Sequence, residues 1–186
     1  MYKICQTEQS SQRQRELEEG LLQLMLRKNY EDISVSDLCE YMQIPRKSFY
    51  RYFTSKDGAL YALIDHTLAD FFLMPLQEKK SRGTAVGDLD LYFVFWYENK
   101  RLLDALKRSS LSGILVERAT NFAMQEGHFP QQFKRFRPEI QGLAMAFSVC
   151  GLMSMILQWH RQGFSISPDE MTQLAVDLLT APLLHR

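Results

Sequence analysis

From Gln12 to Lys28 the apolar residues Leu17, Leu21, Leu24 and Met25 recur at i, i+4, i+7 and i+8, which is one face of a helix. The same period returns along nearly the whole chain, and no alternating apolar–polar run bounded by Asn-Gly or Asp-Gly interrupts it. This periodicity predicts an all-α fold. A second helix, capped by Ser34 or Ser36, carries Leu38 and Met42 and breaks at Gln43-Ile44-Pro45, because the residue before a proline is pushed out of the α region. A third runs from Arg46 to Tyr52, with Pro45 near its first turn, and a fourth from Lys56, capped by Ser55, into the seventies, where Met74-Pro75 should kink or end it. Further helices are expected over about 87–99, 101–109, 111–126, 133–162 and 168–183, the last capped by Ser167 with Asp169 and Glu170 in its first turn. The polar joint Lys79–Gly83 marks a soft boundary. The organisation expected is an N-terminal three-helix domain over 1–55, a connecting helix over about 56–80, and a larger helical domain over 81–186.

Charge decides what kind of site such a chain can carry. Its 186 residues hold 22 basic and 22 acidic side chains, so it is no polycation, and any nucleic-acid site must be a local patch. Residues 33–60 contain that patch: two short helices around a tight break form a helix-turn-helix, whose second helix can enter the DNA major groove. Between Pro45 and Lys56 stand four bases (Arg46, Lys47, Arg51 and Lys56) and no acid, although residues 1–80 as a whole hold 11 bases against 12 acids. Cations interleaved with hydroxyls and aromatics suit phosphate anchoring with base contact. Phe49, Phe53, Leu38 and Ile44 read as the small domain's core.

The string Ile44-Pro45-Arg46-Lys47-Ser48-Phe49-Tyr50-Arg51-Tyr52-Phe53-Thr54-Ser55-Lys56-Asp57 resembles the DNA-binding signature of the TetR family of bacterial regulators. The resemblance implies a homodimer, a double-stranded operator with two-fold symmetry, and a C-terminal domain for dimerisation and a small-molecule effector. It implies further that Tyr50 and Lys56 hold phosphates, that Arg46, Lys47 and Ser48 face base edges, and that Arg51 reaches either. Ser34 and Ser36 would offer hydroxyls or helix-end amides to a phosphate. Two positions depart from the family pattern: Gln43 stands where glycine is usual in the turn, and Pro45 replaces a serine-like cap. Gln43 must then tolerate, or avoid, a left-handed conformation.

In the C-terminal part, Tyr92, Phe93, Phe95, Trp96 and Tyr97 put rings on more than one face of a helix. They suit the wall of an effector pocket for a small apolar or aromatic ligand, with Phe122, Met124, Phe147, Met155 and Trp159 as lining from other helices; plain core packing is the alternative at each position. Gly142 to Trp159 is eighteen residues without a charge, at the lower edge of membrane-spanning length. Burial inside protein is expected rather than a membrane span, since the stretch carries Ser148, Ser154 and Gln158. Its small residues Ala144, Ser148 and Gly151, with Leu174 and Leu178 of the closing helix, suit a four-helix dimer interface, the alternative being an internal core helix.

Three scattered cysteines and four histidines show no ligand spacing, so no metal and no cofactor are expected, and reduced thiols without a signal peptide's apolar core suggest a cytoplasmic protein. No GxSxG, Walker-type glycine loop or other catalytic set is visible, so no enzyme is expected. The function expected is a sequence-specific DNA-binding transcriptional regulator, a repressor released by its effector. The alternative is a small helical protein that binds a hydrophobic ligand or partner helix without DNA.

Overall fold

The computed structural model describes residues 1–73, 85–125 and 136–180. Its helices are α1 (Glu8–Met25), α2 (Val35–Tyr41), α3 (Arg46–Phe49), α4 (Lys56–Leu73), α5 (Ala85–Glu98), α6 (Lys100–Arg108), α7 (Ser112–Gln125), α8 (Pro138–Arg161) and α9 (Pro168–Thr180), with a 3₁₀ turn at Tyr30–Asp32. Among the described residues there is no strand, only an isolated antiparallel bridge between Tyr2 and Phe53. The all-α expectation holds. The soft boundary at Lys79–Gly83 and the joint at Met74-Pro75 lie outside the described residues.

Local chemistry explains where the helices begin. α1 starts earlier than its apolar period suggests because the Thr7 hydroxyl oxygen accepts from the Ser10 amide at 3.3 Å. Ser34 and Asp37 form a reciprocal capping box at the start of α2, and Ser167 and Glu170 form another at α9. The Ser55 hydroxyl accepts from the Gly58 amide at 3.1 Å, which opens α4 where the sequence places it.

Packing of α1 on α4, α2 and α6, of α4 on α7, of α7 along α8, and of α5 along α9 builds the main apolar core, with a smaller cluster around Ala123 and Met145. Leu17, Leu21, Met25, Leu38, Phe49, Phe53, Leu60 and Ile64 bury it at the N-terminal end, and Phe93, Trp96, Leu103, Leu115, Ile156 and Trp159 continue it. α1 and α2 approach so closely that a Cβ at Gly20 would lie 2.4 Å from the Met42 sulfur. Between α1 and α4 the buried Glu18 meets His66 Nδ1 at 2.9 Å; burial pushes its carboxyl above the usual range, against the pull of His66.

One expectation is corrected. α8 is only partly buried within the chain: Met145, Met153, Ile156 and Trp159 enter the core, whereas Leu143 and Phe147 are 70% and 69% exposed. Its length and mean hydropathy of 1.8 would also let it cross a membrane. Hydropathy reports that a helix avoids water, and it cannot say which surface covers it.

Candidate nucleic-acid interface

The recognition segment is held from behind by two rings. Phe49 and Phe53 are fully buried, 5.2 Å apart between centroids, and Phe49 meets Tyr50 edge-on at 5.4 Å. With these rings inward, Arg46, Lys47, Tyr50 and Arg51 project into solvent and Ser48 is half-buried. Helical spacing puts Arg46 and Tyr50 on one stripe, where the Arg46 guanidinium donates to the Tyr50 hydroxyl at 3.4 Å. α3 itself is shorter than expected, ending at Phe49 and continuing as turns.

The turn before it is a Schellman motif. The Gln43 amide donates to the Glu40 carbonyl at 3.1 Å and the Ile44 amide to the Cys39 carbonyl at 2.9 Å, which closes the end of α2. The geometry requires a left-handed residue between them, and Gln43 takes φ 52°. A non-glycine residue there costs about 1–2 kcal/mol, and glycine loses more freedom on folding, which offsets part of any gain. Gln43→Gly is therefore expected to stabilise the chain by about 0.5 kcal/mol, raising Tm by about 1–2 °C in thermal unfolding. A lower Tm would show that the glutamine side chain makes a stabilising contact of its own.

The flanking groups are already partly engaged. Ser34 and Ser36 are exposed at the start of α2, but the Ser34 hydroxyl and amide both donate to Asp37. Those bonds, with Lys28 at 3.2 Å, hold the Asp37 carboxyl down to about 2, so this helix end carries a fixed negative charge. Lys56 is half-buried: its ammonium donates to the Tyr30 carbonyl at 2.6 Å and sits 4.1 Å from the Tyr30 ring centroid. The Tyr30 hydroxyl in turn donates to Asp57 at 2.5 Å. A phosphate at Lys56 must share the ammonium with Tyr30. The acid at Asp37 was readable from the capping-box spacing, whereas the Lys56–Tyr30 contact joins residues 26 apart and leaves no local signal.

The other site residues fall into three environments. Phe93, Trp96 and Trp159 are buried in the core; Tyr92, Phe122 and Met155 are half-buried against it; Tyr97, Met124 and Phe147 are exposed. Tyr97 stacks on Trp159 with centroids 5.9 Å apart. The Tyr92 hydroxyl and the Trp96 indole N–H, one turn apart on α5, are both buried; they lie against each other and reach no other hydrogen-bond partner among the described residues. Burial keeps that phenol far above its ordinary pKa. Of the residues expected at an interface, Ala144 and Ser148 are half-buried, Gly151 is exposed with no described atom outside its own helix backbone within 4 Å of where a Cβ would stand, and Leu174 and Leu178 are 43% and 42% exposed.

The family model of bacterial regulatory proteins of the tetR family matches residues 19–63, from the middle of α1 into α4. No curated protein matches. Among solved structures, the chain is similar to a fatty acid degradation regulator, FadR, from Bacillus halodurans, at 16% identity and a TM-score of 0.59 over 93% of this chain and 97% of that one. It is similar to the dihydroxyacetone kinase operon activator DhaS at 18% identity and a TM-score of 0.61, covering 89% and 93%. The tetR-family repressor AlkX from a Dietzia strain, implicated in biodegradation of n-alkanes, gives 18% identity and a TM-score of 0.54 over 88% and 90%. At these identities the likeness is one of fold.

Proposed function

We propose, from the premise that this chain is a DNA-binding transcriptional regulator carrying the tetR-family domain, that it works as a cytoplasmic homodimeric repressor released by a small apolar or aromatic effector. The observation that carries the DNA half of this reading is the outward row of Arg46, Lys47, Tyr50 and Arg51 fixed by the buried Phe49 and Phe53. In the proposed complex α3 lies in the major groove, with Arg46, Lys47 and Ser48 on base edges and Tyr50 and Lys56 on phosphates. Arg51 reaches either kind of group, and Ser34 and Ser36 stand at the backbone.

Dimerisation supplies the second recognition helix that a two-fold operator needs. Leu143, Phe147 and Gly151 recur every four residues along α8, and Leu174 and Leu178 do the same on α9. An apolar stripe of this size suits a self-complementary partner surface, with Ala144 and Ser148 allowing the helices to approach. A partner protomer covering α8 also accounts for its hydropathy without a membrane.

The effector site is proposed at α5, where the buried Tyr92 hydroxyl and Trp96 N–H lie among Phe71 and Phe93, with Phe122 and Met155 as proposed lining from other helices. A ligand with an apolar body and one acceptor group would take the Tyr92 proton, with the Trp96 N–H directed at the Tyr92 oxygen. Effector control requires different affinities for two arrangements of the recognition helices.

The test compares Lys47→Ala with Tyr50→Phe on duplexes selected from a random pool and on single-base variants of the best site. Lys47→Ala is expected to lose about 1–3 kcal/mol at particular bases and so to relax sequence preference. Tyr50→Phe is expected to weaken every duplex alike. Parallel losses from both variants across all sequences would reassign Lys47 to the backbone. No salt-dependent binding of the unaltered protein to any duplex would overturn the reading.

A further inference from the structure

The segment ahead of α1 has no helical period, yet it is tied down more heavily than its position requires. The Lys3 amide donates to the Tyr52 carbonyl at 2.9 Å, and the Thr54 amide and hydroxyl both donate to the Met1 carbonyl, at 3.1 and 2.8 Å. With the bridge between Tyr2 and Phe53, these bonds clamp residues 1–3 onto the stretch that leaves the recognition segment. From α1, Gln14 donates to the Lys3 carbonyl at 3.2 Å. Room for the strap is made at Gly58 in the first turn of α4, where a Cβ would lie 2.3 Å from the Met1 carbonyl oxygen, a backbone atom.

Tyr2 links this strap to the other half of the molecule. Its hydroxyl donates to Asp65 on α4 at 2.7 Å, and its ring meets His66 edge-on at 5.6 Å. Arg118 on α7 grips the same carboxylate, Nε on one oxygen at 2.5 Å and Nη2 on the oxygen that Tyr2 uses. The Arg118 guanidinium is further held over the Tyr61 ring, 4.8 Å from its centroid. Burial, helped by Asp65, keeps the Tyr2 phenol protonated and able to donate.

We propose that residues 1–3 are a strap that positions the recognition segment for DNA, and that Tyr2, Asp65 and Arg118 connect this strap to the C-terminal helices. α3 spans four residues, and a helix that short has no stability of its own. Its entrance is fixed by the Gln43 turn and its middle by Phe49. Its exit, turns over residues 50–52 leading into the bridge at Phe53, is fixed by the strap. Because Tyr2 and Arg118 share one carboxylate oxygen, a shift of α7 against α4 reaches Tyr2 directly, and through it the exit of α3. The packing of α4 on α7 makes such a shift a movement of two rigid elements rather than of a loop.

The inference rests on the chain binding DNA through α3, and the unaltered protein serves as the control. If it binds no selected duplex, that reading fails; if it binds, the variants judge the strap alone. Amide hydrogen exchange at Lys3 and Thr54 reports the strap, duplex affinity reports its effect, and Tm reports general damage. Gly58→Ala is expected to abolish protection at both amides and to weaken binding about tenfold without a matching fall in Tm, since alanine favours the helix. Lys3→Pro, which removes the donor to Tyr52, is expected to expose Thr54 and weaken binding to a similar degree. Arg118→Met, remote from DNA, is expected to speed exchange at Thr54 and to change affinity severalfold, with Arg118→Lys nearer to the unaltered protein. Strap amides exposed by Gly58→Ala or Lys3→Pro with unchanged affinity would overturn the positioning role. Arg118→Met with unchanged exchange and affinity would overturn the connection.

Discussion

Gly151→Glu is expected to convert the proposed dimer into a folded monomer that no longer holds its operator. Among the described residues nothing outside the helix's own backbone lies within 4 Å of a Cβ at Gly151, so the new side chain has space there and need not disturb α8. In a dimer joined through the Leu143, Phe147 and Gly151 face, the same carboxylate is buried without a partner, at a cost of several kcal/mol. Separated protomers then offer one recognition helix each. Two linked half-sites bind more tightly than either alone by about 10²–10⁴-fold, and that factor is lost although every DNA-contacting residue is intact. Light scattering for molar mass and duplex affinity on the same samples make the measurement, with Tm as the folding check. A variant that remains dimeric and binds normally would move the interface off α8. Ser148→Glu gives a second reading on the same helix, nearer the chain's own core, because Ser148 is half-buried and its hydroxyl donates to the Ala144 carbonyl at 2.9 Å.

The sequence carried the helices wherever burial imposes a period and a short polar side chain marks the start. α4 opens at Lys56 behind Ser55 and α9 at Pro168 behind Ser167, as the residues indicate. The recognition face was legible for the same reason: Phe49 and Phe53, four apart, have to turn inward, which leaves Arg46, Lys47, Tyr50 and Arg51 outside. Pairings between distant residues were not legible. The strap depends on Tyr2 meeting Phe53 and Asp65, and residues 1–7 have no pattern that announces it. Lys56 reads as a free cation beside the recognition helix until the 3₁₀ turn at Tyr30–Asp32 is placed against it. α8 is the clearest case of an under-determined signal. A charge-free stretch is equally compatible with core, membrane and partner, and only the structure shows that Ile156 and Trp159 face the core while Leu143 and Phe147 are left outside it.

Phe49→Ala is expected to have the opposite signature to Gly151→Glu: the proposed dimer persists and the DNA surface is lost. Phe49 is fully buried among Phe53 and the apolar residues of α1, α2 and α4, and removing its ring leaves a cavity as well as lost burial. Such truncations cost about 3–5 kcal/mol, against a total stability of about 5–15 kcal/mol for an ordinary domain. In a chain of this length that corresponds to a fall in Tm of about 10 °C. The damage is concentrated locally because α3 has only four residues and no hydrogen-bond ladder to sustain it without the ring. Amides of α2 and α3 should therefore lose protection from exchange well before those of α7 and α8. Operator affinity should fall below detection at temperatures where the far end is still folded, while light scattering still gives the dimer mass, since α8 and α9 are separate elements from α3. Phe49→Leu, which keeps most of the volume, should restore much of both stability and binding. Unchanged operator binding by Phe49→Ala would mean that something other than this core sets the position of Arg46, Lys47 and Tyr50, and the proposed scaffold for the recognition face would have to be abandoned.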